Sequence, residues 1–144
     1  MATTYANEVA GFGTTPNTKV DGGIHGGRLH RFRASFTMAS QASGDDIVLA
    51  KIPAGYRFAF GILNASATMG ASATLAIGTT GATGKYRAAA VFTAAAPTLF
   101  GEVAAQAVAD PGLSADEQVF ITVAAASLPT AGTLVVDLFY SMPT

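Results

Sequence analysis

The chain has 144 residues, a net charge of −1 and no cysteine. Without cysteine, neither a disulfide framework nor a thiolate metal site is possible. The near-neutral charge provides no general attraction to nucleic acid, and the longest apolar runs, such as residues 88–92, are too short to cross a bilayer. We therefore expect neither a nucleic acid nor a membrane as partner.

Charged residues make up 12% of the chain, about half the usual fraction of about 25% for a soluble domain. Alanine, glycine and threonine occupy positions where lysine and glutamate are more common, and mean hydropathy is +0.40. A monomer of this composition would expose large, weakly polar areas. The composition thus predicts that much of the surface is buried against other copies of the chain or against a larger partner.

Residues 1–27 differ from the rest because they show no sustained hydrophobic period. Six glycines between Gly11 and Gly27 make this stretch costly to order alone. Scattered apolar side chains can nevertheless anchor it to a neighbouring surface; they are Tyr5, Val9, Phe12, Val20 and Ile24. We expect an extended, glycine-rich arm over residues 1–27, with an ordinary frayed terminus as the alternative.

Residues 28–38 alternate between apolar and polar side chains, which predicts a strand. The side chains expected to face the core are Phe32, Ala34, Phe36 and Met38. Arg28, Arg31 and Arg33 form a basic cluster beside the glycine-rich stretch. This cluster is either a solvated strand face or a contact for an acidic protein surface.

Residues 44–63 are the centre of the predicted fold and indicate two strands joined by a tight turn. Pro53 presets φ, and Gly55 is free to adopt positive φ, so the chain can reverse there. We expect these strands to pair as a hairpin, with Phe58, Phe60 and Ile62 sharing one core face.

Further short strands are expected at residues 73–78, 85–93, 98–103, 118–124 and 132–140. In the last, Leu134, Val136, Leu138 and Tyr140 fall on one face. The alanines of residues 85–93 are also compatible with a helical turn. Seven or eight short strands with turns about every ten residues predict an all-β fold. We expect residues 28–144 to form an antiparallel β-sandwich or jelly roll.

No pattern in the chain assigns catalytic, cofactor-binding or metal-binding residues. His25 and His30, the two histidines, lack nearby carboxylates to complete a metal site. The acidic pairs at residues 45–46 and 116–117 precede strands, and neither has calcium-loop spacing. A sandwich could bring the two pairs together as in a glycosidase, but no motif indicates it.

Three segments resemble structural proteins of tailed bacteriophages, above all the head decoration, or cement, proteins. These segments are Gly44–Arg57, Thr74–Gly78 and Ala131–Tyr140, and the likeness covers about residues 28 to 141 in its order of strand and turn signals. The resemblance implies a β-sandwich or jelly roll that binds as a homotrimer, staples neighbouring major capsid subunits and is not an enzyme. The arm has no motif that matches the family.

The leading interpretation is a cement protein, assembled in the host cytoplasm and located on the capsid surface of the virion. From composition, Tyr5, Phe12, Val20, Ile24, Arg28 and Arg31 are the candidate contacts to the capsid or to a neighbouring subunit. The alternative is a jelly-roll receptor- or carbohydrate-binding module of a phage tail or fibre. Sugar sites usually present exposed aromatic rings, and this chain has four tyrosines and no tryptophan.

Overall fold

A computed structural model describes residues 26–101 and 112–142, and throughout these ranges the regular secondary structure is β-strand. The strands are β1 (Arg28–Thr37), β2 (Asp46–Ile52), β3 (Arg57–Ala65), β4 (Thr74–Thr79), β5 (Ala82–Val91), β6 (Thr98–Phe100), β7 (Glu117–Ala124) and β8 (Thr133–Met142). The prediction of an all-β chain with about eight short strands is confirmed.

The eight strands form two four-stranded sheets. Sheet A has the order β1-β8-β3-β6 and sheet B the order β2-β7-β4-β5. All neighbouring strands are antiparallel. This interleaved order, in which most consecutive strands belong to different sheets, is that of a jelly roll.

The core lies between the sheets and follows the alternation of the longer strands. On β8, every second residue is fully buried, as the sequence predicts: Leu134, Val136, Leu138 and Tyr140. Sheet B contributes Leu75 and Ile77 from β4 and Val119, Ile121 and Val123 from β7. The inward face of β1, with Phe32 and Phe36, is only partly buried because β1 is an edge strand.

The predicted hairpin of β2 and β3 does not form. β2 pairs with β7 in sheet B, whereas β3 pairs with β6 and β8 in sheet A. The turn at residues 53–56, with Gly55 at a φ of +88°, therefore carries the chain from one sheet to the other. Pro and Gly specify a reversal of the chain but not the strand with which it then pairs.

The expected core face of β3 is also wrong beyond its first residue. The register against β8 shifts between Phe58 and Phe60, so that Ala59 forms a β-bulge. A bulge inserts one residue and reverses the alternation that follows it. Phe58 is buried in the core, but Gly61 and Leu63 then take the inward positions, and Phe60 and Ile62 face outward.

Backbone hydrogen bonds fasten both ends of the sandwich. At one end, the Met38 amide donates to the Gly132 carbonyl at 2.8 Å and the Leu128 amide to the Gln41 carbonyl at 2.9 Å. At the other, where β1 begins and β8 ends, the Gly55 amide donates to the Leu113 carbonyl at 2.7 Å. The loops beside the sheets are thereby held in place without helices.

Candidate interaction surface

Two of the six contact residues predicted from sequence can be placed in the structure. Arg28 is the first residue of β1, exposed and paired in register with Met142. Arg31 lies on the outer side of β1, opposite Phe139. The other four, Tyr5, Phe12, Val20 and Ile24, lie outside the described residues.

The outer face of sheet A carries an apolar strip across the three adjoining strands β8, β3 and β6. We define this strip as Phe60 and Ile62 of β3, Leu99 of β6, and Val135 and Phe139 of β8. Strand register places these side chains beside one another, since Phe60 pairs with Phe139 and Ile62 with Leu99. Leu99 is 69% exposed, the highest value among the large hydrophobic residues described.

Phe60 and Phe139 stack on the outside of the sheet rather than in the core. Their ring centroids are 4.5 Å apart, with planes inclined by 17°. The Ala59 bulge turns Phe60 to this side, which is why a simple period of two assigned it to the core. A bulge leaves no periodic signal in a single sequence, so the apolar strip was missed.

Opposite charges lie within and beside the strip, because Asp137 stands between Val135 and Phe139 on the same face of β8. Asp137 lies next to Ile62 on one side and Arg33 on the other. Arg33 Nη1 is 3.4 Å from Asp137 Oδ2, and Arg31 Nε is 3.9 Å from Oδ1. The carboxylate is 15% exposed, whereas the two arginine side chains are 55% and 52% exposed. The carboxylate thus sits within the sheet surface and the guanidinium groups extend from it.

Positive charge is concentrated on this sheet. The strands of sheet A contain four arginines, Arg28, Arg31, Arg33 and Arg57, against the single acid Asp137. The strands of sheet B carry three cations against two acids. Since the whole chain has a net charge of −1, sheet A stands out as locally basic. Three of the four arginines, Arg31, Arg33 and Arg57, lie on the outer face of sheet A by strand register, together with the apolar strip. This face is the candidate interaction surface.

The two acidic pairs lie too far apart to act together on a sugar. Asp46 pairs with Thr122 and Glu117 with Ile52, so they occupy opposite ends of the β2–β7 ladder. The length of β2 separates them by about 20 Å, whereas glycosidase carboxylates stand about 5 to 10 Å apart. The glycosidase arrangement considered from the sequence is therefore not formed.

Each acidic pair instead has a local structural role. Asp45 Oδ2 accepts a hydrogen bond from the Ala42 amide at 2.8 Å, which closes the turn before β2. Asp116 accepts from the Ala54 amide at 3.2 Å and pairs with Lys51 at 3.3 Å. The Ala54 hydrogen bond, followed by the contact with Lys51, lowers the pKa of Asp116.

Glu117 joins β7 to β5 through a partly buried polar cluster. Its carboxylate forms an ion pair with Lys85 and accepts a hydrogen bond from the Tyr86 hydroxyl. Burial of Tyr86, together with its neighbour Tyr140 and the hydrogen bond to Glu117, raises the pKa of the Tyr86 phenol far above its usual range. The cluster is satisfied internally, which is typical of a structural rather than a reactive site.

The described tyrosines lie mainly in the core and not on a sugar-binding platform. Tyr86 and Tyr140 are buried, and Tyr56 makes edge contacts with the rings of His30 and Phe32. His30 thus packs against an aromatic ring. Across residues 26–101 and 112–142, no three His, Cys, Asp or Glu side chains cluster as metal ligands would; His25 lies outside these ranges.

The same portion of the chain contains no helix of the length and hydropathy needed to cross a membrane.

Comparison with known proteins finds similar structures but no match by sequence. No protein-family model matches the chain, and no curated protein matches it either. A chain in the capsid of Ralstonia phage GP4 has a TM-score of 0.65 at 21% identity, over 82% of this chain and 86% of that chain. A chain in the cyanophage Pam1 capsid asymmetric unit has a TM-score of 0.62 at 20% identity, over 81% and 86%.

A third match is to the acidic stable capsid structure of Helicobacter pylori bacteriophage KHP30. Its TM-score is 0.58 at 13% identity, and it covers 81% of this chain and 89% of that chain. At these identities the likeness is one of fold. The chain therefore shares its jelly-roll fold with chains present in three bacteriophage capsid structures.

Proposed function

We propose that the protein is a structural component of a phage virion: a cement protein that binds the outer surface of the head and stabilises contacts between major capsid subunits. The observation that carries this proposal is the shared fold, which matches more than four-fifths of each of the three capsid-derived chains. The apolar strip beside exposed arginines gives the proposal a physical basis, since both are suited to a protein partner. No enzymatic step or cofactor is part of the role.

Low charge density favours adhesion to a protein shell. Desolvating a charged side chain at an interface costs free energy unless it is paired, and only 12% of this chain is charged. Small alanine and threonine side chains permit close contact over a broad area. A stable interface of about 1,200–2,000 Å² that extends over two shell subunits would oppose their separation.

We further propose that the protein acts as a homotrimer. A trimer placed on a local three-fold position of the shell contacts several subunits at once. Each additional contact then forms at a high effective concentration, so weak individual contacts add to firm attachment. The composition, poor in charge and rich in small residues, supports such self-association.

Residues 1–27 are proposed to form an arm that strengthens attachment, and residues 28–144 the folded domain. Ordering a glycine-rich stretch costs conformational entropy, which Tyr5, Phe12, Val20 and Ile24 would offset once a receiving groove is present. Arg28 and Arg31 would add a component that depends on salt concentration.

Co-sedimentation with purified, undecorated phage heads tests the proposal. The full chain is expected to pellet with heads and to raise their resistance to heat or chelation. A chain that begins at Gly27 is expected to melt cooperatively within a few degrees of the full chain but to bind heads poorly. Failure of the full chain to bind any cognate head would contradict the cement role. Equal binding by the shortened chain would show that the arm is not needed for attachment.

A further inference from the structure

We propose that the outer face of sheet A is the surface that meets the head shell, and that it receives an apolar segment bearing carboxylates. This inference rests on the proposed function and specifies the face of the protein and the chemistry of its partner. The partner is identified as acidic from the charges and geometry of the described residues.

Apolar side chains are distributed differently on the outer sides of the two sheets. On sheet A, the exposed Leu99 is accompanied by the half-buried Phe60, Ile62, Val135 and Phe139, which strand register makes neighbours across three adjoining strands. On the outer side of sheet B, the exposed large hydrophobic residues are Val48 and Val91, on the outermost strands β2 and β5. A contiguous apolar strip marks an interaction site more strongly than separated side chains do.

Arg31 and Arg33 have guanidinium donors that Asp137 does not use. A guanidinium group carries five N–H donors, and each of these arginines approaches Asp137 through a single nitrogen. Both side chains remain more than half exposed. Most of their donors therefore remain available to a carboxylate on a partner, and arginine is well suited to bind carboxylates through paired hydrogen bonds.

Face-to-face contact with a second copy is unfavourable. Strand register places three arginines, Arg31, Arg33 and Arg57, on the outer face of sheet A against one acid, Asp137. Two such faces in contact would bring like charges together, which opposes association. Carboxylates of an acidic partner instead pair with the excess arginine charge. Asp137 competes with these carboxylates for the guanidinium groups of Arg31 and Arg33.

Charge reversal on the full-length chain tests the inference, with undecorated heads as the probe. Arg31→Glu combined with Arg33→Glu is expected to weaken head binding by at least about tenfold. Leu99→Ser is expected to weaken it as well. The matched controls lie on the outer face of sheet B: Lys51→Glu for charge and Val48→Ser for an exposed apolar side chain. The controls are expected to bind within about twofold of the original chain.

Asp137→Asn gives a test of opposite sign. Loss of the competing carboxylate is expected to tighten head binding several-fold and to steepen its dependence on salt between about 50 and about 500 mM. Weaker binding by this variant would overturn the inference, because it would show that Asp137 itself contacts a cationic partner.

The remaining outcomes separate this inference from the proposed function. If the original chain fails to bind heads, the proposed cement function is wrong. If the original chain and all sheet A variants bind equally, the cement function is retained, but the outer face of sheet A is not the surface that contacts the shell. A changed mass of the free double arginine variant in sedimentation would also overturn the inference, since a second copy would then occupy the face. Melting curves verify that each variant is folded.

Discussion

Phe58 and Phe60 are two residues apart on β3, yet they lie on opposite sides of sheet A. Phe58 is 6% exposed, and its ring lies 4.3 Å from that of Tyr86 and 5.3 Å from that of Tyr140, measured between centroids. Phe60 contacts Phe139 on the outside. The two phenylalanines therefore have different roles, one in the core and one on the candidate interaction surface.

Alanine substitution at each position distinguishes these roles. Phe58→Ala is expected to lower the free energy of unfolding by about 3–5 kcal/mol, because it leaves a cavity between the sheets. Phe60→Ala is expected to lower it by only about 1 kcal/mol, through loss of the exposed ring pair. Urea unfolding of the two variants measures both values. The reverse order would show that the bulge is placed incorrectly.

Tyr86 makes stability depend on pH in the alkaline range. An unfolded tyrosine loses its proton near pH 10, whereas burial raises the pKa of Tyr86 in the folded chain. Above about pH 10 the unfolded state binds fewer protons than the folded state, so stability falls by up to about 1.4 kcal/mol per pH unit. Below that pH this contribution is fully present.

The variant Tyr86→Phe isolates this effect. It is expected to be less stable at neutral pH because Glu117 loses a hydrogen bond, but to lose stability less steeply between about pH 10 and about pH 11.5. Thermal unfolding across this range gives the two slopes. Identical slopes would show that Tyr86 is not the residue responsible.

Among the strands, β8 and β3 show when hydrophobic alternation in the sequence is enough to predict which side chains face the core. β8 has no register shift against β1, and its predicted core face is correct at all four positions from Leu134 to Tyr140. β3 has one bulge, and its prediction fails from Phe60 onward. Strand positions were therefore predictable from local pattern, whereas the pairing of β2 with β7 depends on tertiary contacts that no local pattern contains.

The β4–β5 hairpin depends on a glycine that is not in its turn. β4 and β5 are joined through Thr80 and Gly81, and Gly81 has a φ of +82°. Gly78 lies earlier, on β4, where the irregular path of β5 brings main chain close. A Cβ atom at Gly78 would lie 2.1 Å from the Ala82 carbonyl oxygen and 2.5 Å from that of Thr83.

Gly78→Ala is therefore expected to destabilise the protein by about 1–3 kcal/mol, since backbone rather than a flexible side chain must move. Gly101→Ala is the control, because among the described residues no atom beyond the chain neighbours of Gly101 lies within 4 Å of a Cβ atom there. Its effect is expected to lie within about 0.5 kcal/mol. Comparable melting temperatures for both variants would contradict the close packing of β5 on β4.

At the scale of the whole molecule, the proposed interaction surface was only partly predictable. Arg31 was found because outward positions on an uninterrupted strand can be counted from the sequence. The strip that accompanies it needs Phe60 from β3, Leu99 from β6 and Phe139 from β8, which are far apart in the chain. The composition predicts that part of the surface is buried against a partner, but only the sheet order shows where the apolar strip lies.

The proposed homotrimer predicts a mass well above the 14.5 kDa of the single chain. Sedimentation of the free protein at micromolar concentration and moderate salt measures it. A species near three times the chain mass is expected, and it should persist at high salt because apolar contacts are not screened. A single species at the mass of one chain would contradict assembly before attachment to the head.

An image reconstruction of an intact phage particle that contains this protein shows directly where the protein binds and which face meets the shell. We expect an eight-stranded jelly roll on the outer surface of the head, with the apolar strip and Arg31 and Arg33 directed at the shell. Density for the protein in the tail, or on the head with the outer face of sheet A turned to solvent, would contradict this expectation.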